Sequence, residues 1–316
     1  MPSLLDLPNE LLTEVAKHFP RVYSGMDARK HGVRSDQFEG IDTLRALSHT
    51  CRILRNVCRP VLWQHVQAVY NSRTRPQRRG LTRILERRMA GLLKKSASSV
   101  RPHICSLSIS FIECSMTNWA WEPISGFLRA LASLPNLREL TIVDAPENWW
   151  QMQHVFKAGW EGKVYPSVLS LGIPPELAPM LRCFPNVQTL MQCNEIHEEH
   201  AVGGSKTLFE QSRDLYRNVK AIQNLNLNRG WGVVQCIREN IPQVQSISVW
   251  DGFALEDLSI LQTLPCLTEL HIRYQPPPVQ AGLYGHHRRS KYPPLDEIIT
   301  AAERVLRAPR QGTGGR

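Results

Sequence analysis

The sequence contains no apolar run long enough to span a bilayer, and its first residues lack the basic lead into an apolar stretch that a secretory signal requires. It also lacks any Cys-x-x-Cys pair. Its eight cysteines, Cys51, Cys58, Cys105, Cys114, Cys183, Cys193, Cys236 and Cys266, are scattered and mostly sit in apolar patterns. That distribution predicts free buried thiols and argues against a disulfide framework or a zinc site. An intracellular protein, cytoplasmic and/or nuclear and without a membrane partner, is therefore expected.

Catalytic signatures are missing too. There is no Gly-x-Ser-x-Gly, and no cysteine has a convincing histidine partner in sequence. His197-Glu198-Glu199-His200 spaces its histidines three apart instead of four, in a polar stretch beside Gly203-Gly204 that reads as a surface loop. Gly203, Gly204, Ser205 and Lys206 lack the earlier glycine and the strand-to-helix setting of a phosphate-binding loop. No catalytic residue, metal or cofactor is expected, and an enzyme is disfavoured.

What is present fits a globular chain of more than one part. The 316 residues exceed a typical domain, and 42% hydrophobic content is ordinary for a packed core. The formal charge of +10 is uneven. Arg73, Arg75, Arg78, Arg79, Arg83, Arg87, Arg88, Lys94 and Lys95 crowd one segment, and a second group from His286 to Arg316 marks the tail. Leu81, Ile84, Leu85, Met89, Leu92 and Leu93 lie among the first group at helical spacing, so an amphipathic helix with a solvated basic face is expected there. A basic segment can serve nucleic acid, an anionic surface, an acidic partner or nuclear targeting. Because no aromatic interleaving, zinc spacing or recognition-helix pattern accompanies it, nucleic acid is not an expected partner.

The N-terminal stretch reads as helical. Pro8 suits a first helical turn, Glu10 suits the positive end of the helix dipole, and Leu11, Leu12, Val15, Ala16 and Phe19 recur as one apolar face. Pro20 stops that helix. Asp42 is a plausible N-cap for a second, carrying Leu44, Leu47, Cys51, Leu54 and Val57 or Cys58 on one side until Pro60 ends or breaks it. So small a module buries little surface alone, so a partner or the rest of the chain should cover part of it.

In order, Leu7-Pro8-Asn9-Glu10-Leu11-Leu12, Leu44-Arg45-Ala46-Leu47, Thr50-Cys51-Arg52 and Leu62-Trp63 resemble an F-box, with a longer polar gap from Arg21 to Gly40 than is usual and Thr50 where valine is commoner. The resemblance implies that Leu7, Pro8, Glu10, Leu11, Leu12, Leu44, Leu47, Cys51, Arg52, Leu62 and Trp63 line the surface that grips a Skp-type adaptor, and through it a cullin.

From about residue 100, seven segments share the spacing apolar, two variable, apolar, one variable, apolar: Ile104-Leu107-Ile109, Leu137-Leu140-Ile142, Val168-Leu171-Ile173, Val187-Leu190 with Gln192 last, Ile222-Leu225-Leu227, Val244-Ile247-Val249 and Leu267-Leu270-Ile272. Four share a proline lead-in: Leu134-Pro135-Asn136, Phe184-Pro185-Asn186, Ile241-Pro242-Gln243 and Leu264-Pro265-Cys266. Proline ends a helix and fixes an extended approach to a strand. Helices are predicted before these turns, over 122–133, 176–183, 233–240 and 255–263. Helix, turn and short strand recurring at irregular intervals is the leucine-rich-repeat signature, in which each unit buries its apolar face only against its neighbours. A conventional α/β domain is the alternative.

The fold class expected is thus α/β: an N-terminal helical F-box, residues 1–66 with an insertion at about 21–40; a basic helical linker or cap, 67–99; an irregular leucine-rich-repeat solenoid of parallel strands with helices and loops, 100–275; and a Pro/Arg-rich tail with a short helix at 295–306, within 276–316. Alternation along the strands puts Ser106, Ser108, Ser110, Glu139, Thr141, Val143, Ser170, Gly172, Thr189, Met191, Cys193, Asn224, Ser246 and Glu269 on the face away from the core. Substrate contact is expected at the C-terminal end of that face, at Asn226, Asn228, Ser248, Trp250, His271 and Arg273. Trp119, Trp121, Trp149, Trp150, Trp160 and Trp231 fall near the connections and are expected mainly to be buried by them.

Combined, an F-box and irregular leucine-rich repeats resemble a large class of F-box proteins, many fungal, which act as substrate-recognition subunits of SCF-type cullin-RING ubiquitin ligases. The resemblance implies a non-catalytic receptor for an unknown protein substrate. The alternatives are a leucine-rich-repeat interaction scaffold without a ligase role and a basic nucleic-acid-associated protein.

Overall fold

The computed structural model describes residues 7–19, 35–68, 87, 89–111, 122–143, 157–193, 208–210, 217–225, 231–250, 255–273 and 294–307. The chain forms two compact units, Met1–Val168 and Leu169–Arg316.

Among the described residues the first unit begins with three helices: α1 (Asn9–Lys17), α2 (Ser35–Thr50) and α3 (Arg52–Trp63). Pro8 stands just before α1, and its carbonyl accepts the Leu12 N–H at 3.1 Å. One continuous helix through Cys51 was expected. Instead Cys51 adopts extended φ and ψ of −149° and 169°, and its Sγ accepts the Leu54 N–H at 3.5 Å, capping α3. Pro60 lies inside α3 and does not end it. Near the helix end it costs a single backbone bond. Asp42 lies within α2, not before it, and pairs with Arg45. Leu12, Ala16, Leu44, Val57 and Cys58 form the core of the trio, with Phe19, Leu47, Val61 and Leu62 packed against it.

A single residue after α3, the chain enters β1 (His65–Ala68), which pairs in parallel with β2 (Ser106–Ile109), and β2 pairs with β3 (Glu139–Ile142). The register aligns Val66, Leu107 and Leu140, then Ala68, Ile109 and Ile142. Between β1 and β2, residues 89–93 are helical with Met89 and Leu92 buried, as expected of the apolar side of that segment. Residues 81–86 lie outside the described set. Helix α4 (Glu122–Ala132) precedes β3. Its Phe127 packs edge-on to Phe111 and to Trp160, which is itself edge-on to Tyr165. Trp160 is accordingly buried.

The second unit repeats the scheme. Strands β4 (Ser170–Ile173), β5 (Thr189–Gln192), β6 (Ala221–Leu225), β7 (Ser246–Trp250) and β8 (Glu269–Arg273) pair in parallel in sequence order. Helix α5 (Trp231–Asn240) precedes β7, and α6 (Leu255–Ile260) followed by a 3-10 turn precedes β8. The stretch Pro175–Cys183 is 3-10 rather than α-helical. Pro175 and Pro179 remove backbone donors there, which disfavours an extended α-helix. Helix α7 (Leu295–Arg307), close to the predicted tail helix, packs on α6 and β8 with Ile298 and Val305 buried.

One joint recurs at the start of nearly every strand: two consecutive N–H groups donate to a single carbonyl on the preceding strand's lead-in. Cys105 and Ser106 donate to Gln64, Arg138 and Glu139 to Cys105, Gln188 and Thr189 to Leu169, and Lys220 and Ala221 to Gln188, all at 2.8–3.1 Å. Gln245 and Ser246 then donate to Lys220, and Thr268 and Glu269 to Gln245. Proline turns come just before, with Leu137 N–H on Leu134 O and Val244 N–H on Ile241 O. Tyr165-Pro166-Ser167-Val168 makes the same turn, with Val168 N–H on Tyr165 O. Proline at the second position pre-sets the φ that such a turn needs.

The fifth repeat is shifted from the sequence reading. Ile222 aligns with Leu190 on one side and Ile247 on the other, so the repeat starts at Val219, not at Ile222. A bulge between Ile222 and Leu225 sets Gln223 and Asn224 against Ser248 alone, before Leu225 rejoins the register at Val249. Asn224 takes a left-handed φ of 58° to make it. Asparagine tolerates that conformation better than most residues.

Candidate functional site

Two surfaces were expected to function: the helical trio and the strand face. On the trio, α1 carries apolar residues around much of its girth. Leu12 and Ala16 turn inward, whereas Leu7, Leu11 and Val15 form an outward stripe at i, i+4, i+8, with Leu11 51% and Val15 49% exposed. The single apolar face read from sequence is therefore two faces. Trp63, at the end of α3, is 40% exposed, and Ile53, at its start, 46%.

The eleven residues expected to meet an adaptor divide accordingly. Leu7, Pro8, Glu10, Leu11, Arg52 and Trp63 are exposed. Leu12 and Leu44 are buried, and Leu47 and Leu62 pack against the same core, so all four hold the trio together. Cys51 is half-buried as the α3 cap. Burial pushes the neighbouring Cys58 thiol up, with a smaller push from Cys51. Sequence reasoning missed Ile53. Its outward direction follows from the helix restarting at Arg52, which the pattern through Cys51 conceals.

The strand face changes character along the chain. On β2 and β3 it is closed to solvent: Ser106, Ser108, Ser110, Thr141 and Val143 are all buried, Thr141 at 0%. These positions were expected to be open, and alternation puts them opposite the core, but they are buried all the same. The Thr141 hydroxyl has no hydrogen-bond partner among the described residues. Burial raises the Glu139 carboxyl above its ordinary range, against a smaller lowering by a hydrogen bond from Ser106. In the second unit Met191 and Cys193 are also buried, and burial raises the Cys193 thiol strongly.

Farther along, the face opens. Ser246 and Ser248 are half-buried, while Glu269 and His271 are well exposed, with His271 Nε2 3.7 Å from a Glu269 carboxylate oxygen. Register makes Ser248 and His271 neighbours, and likewise the backbones of Trp250 and Arg273, so four of the six expected substrate contacts sit side by side on β7 and β8. Nothing is described of the Trp250 and Arg273 side chains. Asn226 and Asn228 lie outside the described residues, as do Trp119, Trp121, Trp149, Trp150, His197–His200 and Gly203–Lys206. Among the described residues no group of three or more His, Cys, Asp or Glu gathers as a metal site would, and no helix is long and apolar enough to cross a membrane.

In-register parallel strands, a shared start joint and proline turns define a leucine-rich-repeat-type α/β fold. No protein-family model and no curated protein matches the sequence. Among solved structures the chain is similar to the leucine-rich repeat-containing protein LegL7 from Legionella pneumophila, at 13% identity and a TM-score of 0.41, over 71% of this chain and 67% of that one.

Proposed function

We propose that this protein is the substrate-recognition subunit of an SCF-type cullin-RING ubiquitin ligase, with the helical trio docking on a Skp-type adaptor and the repeats capturing a protein substrate. One observation carries the reading: a three-helix module that fills its own core still leaves Leu7, Leu11, Val15, Ile53 and Trp63 in water. Such apolar surplus on a small module marks a protein interface, and three of its five residues, Leu7, Leu11 and Trp63, are among those that resemble an F-box. The adaptor would contribute an apolar groove, and the exposed β7–β8 face, with Ser248 and His271, would meet the substrate. Ubiquitin transfer would then be accelerated by proximity, since the receptor holds a target lysine near a charged conjugating enzyme. This chain would supply no nucleophile.

The test is co-purification with a Skp-type adaptor, comparing wild type with Leu7→Ala/Leu11→Ala/Trp63→Ala. All three side chains are exposed, so circular dichroism should show an unchanged fold. Capture by wild type and its loss in the folded variant supports the proposal. Failure of wild type to bind removes the ligase role and leaves a repeat interaction scaffold.

A further inference from the structure

The fold assembles a basic band from segments far apart in sequence. On α3, Arg52, Arg55 and Arg59 recur at i, i+3, i+7, on the side away from the buried Leu54, Val57 and Cys58. Arg59 Nη2 donates to Ser99 Oγ at 2.7 Å, which ties the end of that row to the turn carrying exposed Lys94 and Lys95. The same turn leads into the 3-10 segment Arg101–His103. Asn136 Nδ2 donates to the Pro102 carbonyl at 2.7 Å, which brings exposed Arg138 alongside. All of this lies within the first unit.

Among the described residues few acids offset the band. From Arg52 to Val168 the acidic side chains described are Glu139, half-buried on the strand face, and Glu161. Glu14 and Asp42 sit on α1 and α2, where they pair with Lys17 and Arg45. Exposed Ser96 and Ser98 lie between the cations and offer further donors.

We propose that this band binds the phosphodiester backbone of nucleic acid, a function beyond the proposed adaptor and substrate roles, with Arg52 at its border with the adaptor surface. Protein interfaces are organised around a desolvated apolar or aromatic centre. Among the described residues from Lys94 to Arg138 the exposed side chains are cations, hydroxyls, prolines, an alanine and the Asn136 amide, with no large apolar anchor. Phosphate recognition needs that composition: point charges and guanidinium forks with hydroxyl donors between them. A chain of sequence pI ≈ 9.4 that carries such a band has the electrostatic footprint of a nucleic-acid binder. The sequence pattern hid this, because Arg59, Lys95, Arg101 and Arg138 belong to no common run.

The experiment is fluorescence anisotropy with a short DNA duplex and a single-stranded RNA across a salt series, using the full chain. A Lys94→Ala/Lys95→Ala/Arg101→Ala/Arg138→Ala variant is measured beside it after a circular dichroism check. If that variant fails to fold, Lys94→Ala/Lys95→Ala, both exposed, replaces it. Wild type should bind at least one probe, with affinity falling steeply as salt rises. The fourfold variant should bind at least tenfold more weakly, with its log–log salt slope shallower by roughly 3 to 4 on duplex, and the twofold variant by about 2. Absence of binding to both probes at low salt overturns the proposal. So does binding whose slope the variants leave unchanged, since the cations would then lie elsewhere in the chain. Polyglutamate competing as well as duplex would assign the band to an acidic protein and overturn it too.

Discussion

The helical trio and the strand stack use apolar residues in opposite ways. In the strands, Leu107 and Leu140 of the first unit and Leu171, Leu190, Ile222 and Ile247 of the second are fully buried, in register within each unit. In the trio, five large apolar residues of α1, α3 and their borders remain in water although the core beneath them is complete. Burying a side chain of this kind is worth about 1.5–3 kcal/mol. The stack draws that stabilisation from within the chain, and the trio leaves it unused there, a reserve on which the proposed adaptor would draw.

The sharpest way to break this contrast is to truncate one leucine of each kind. Leu190→Ala, in the fully buried row, should cost about 2–5 kcal/mol of stability in chemical denaturation. Leu11→Ala, half exposed, should change stability by only about 0.5 kcal/mol. If the two cost the same, Leu11 belongs to a core and the reserve does not exist. For adaptor capture the order reverses among folded variants. Leu11→Ala and Trp63→Ala should each weaken binding, by about 1–2 kcal/mol or roughly tenfold if they are hot spots, as titration calorimetry would read. Lys17→Ala, which removes only a surface ion pair with Glu14, should not.

Much of this organisation was legible in the sequence, because a strand buried on its core face against identical neighbours must repeat the same apolar spacing. Six of the seven segments fall on strands in the expected phase. Two failures have physical causes. β1 went unseen because its spacing, Trp63-x-x-Val66-x-Ala68, overlaps the end of the helical pattern, and Trp63 had been read only as part of that pattern. β6 was read three residues late because the bulge adds a residue, so that Val219-x-x-Ile222 is followed by Leu225 instead of an apolar residue at 224. The apolar Leu225 and Leu227 then completed a false match. The strand face was the least legible feature. Alternation says which side a residue lies on, but not how much water reaches it, and almost none reaches Ser108 and Thr141.

The bulge supplies a smaller test. Asn224 is buried with φ of 58°, a conformation that costs most side chains about 1–2 kcal/mol. Asn224→Ala should destabilise by about 1 kcal/mol in thermal or denaturant melts, and Asn224→Gly by less, because glycine is at ease at positive φ. A larger loss with glycine than with alanine would show that backbone geometry does not govern this position. It would then be the amide, and not the turn, that sharpens the difference between β6 and the regular strands.

The smallest effect separates the closed strand face from the open one through pH. Burial raises the Glu139 carboxyl above its ordinary value of 4.5, outweighing the Ser106 hydrogen bond. Folding therefore favours the protonated form. The stability this group contributes is complete below about pH 4.5 and is lost as pH rises through the folded-state value. Glu139→Gln keeps a neutral side chain of similar shape at every pH. The variant should match wild type in acid and become the more stable protein as pH approaches neutrality, a divergence that melting curves across pH 4 to 8 would follow. Curves that stay parallel would mean that Glu139 reaches water, and that the β2–β3 face is as open as that of β7 and β8.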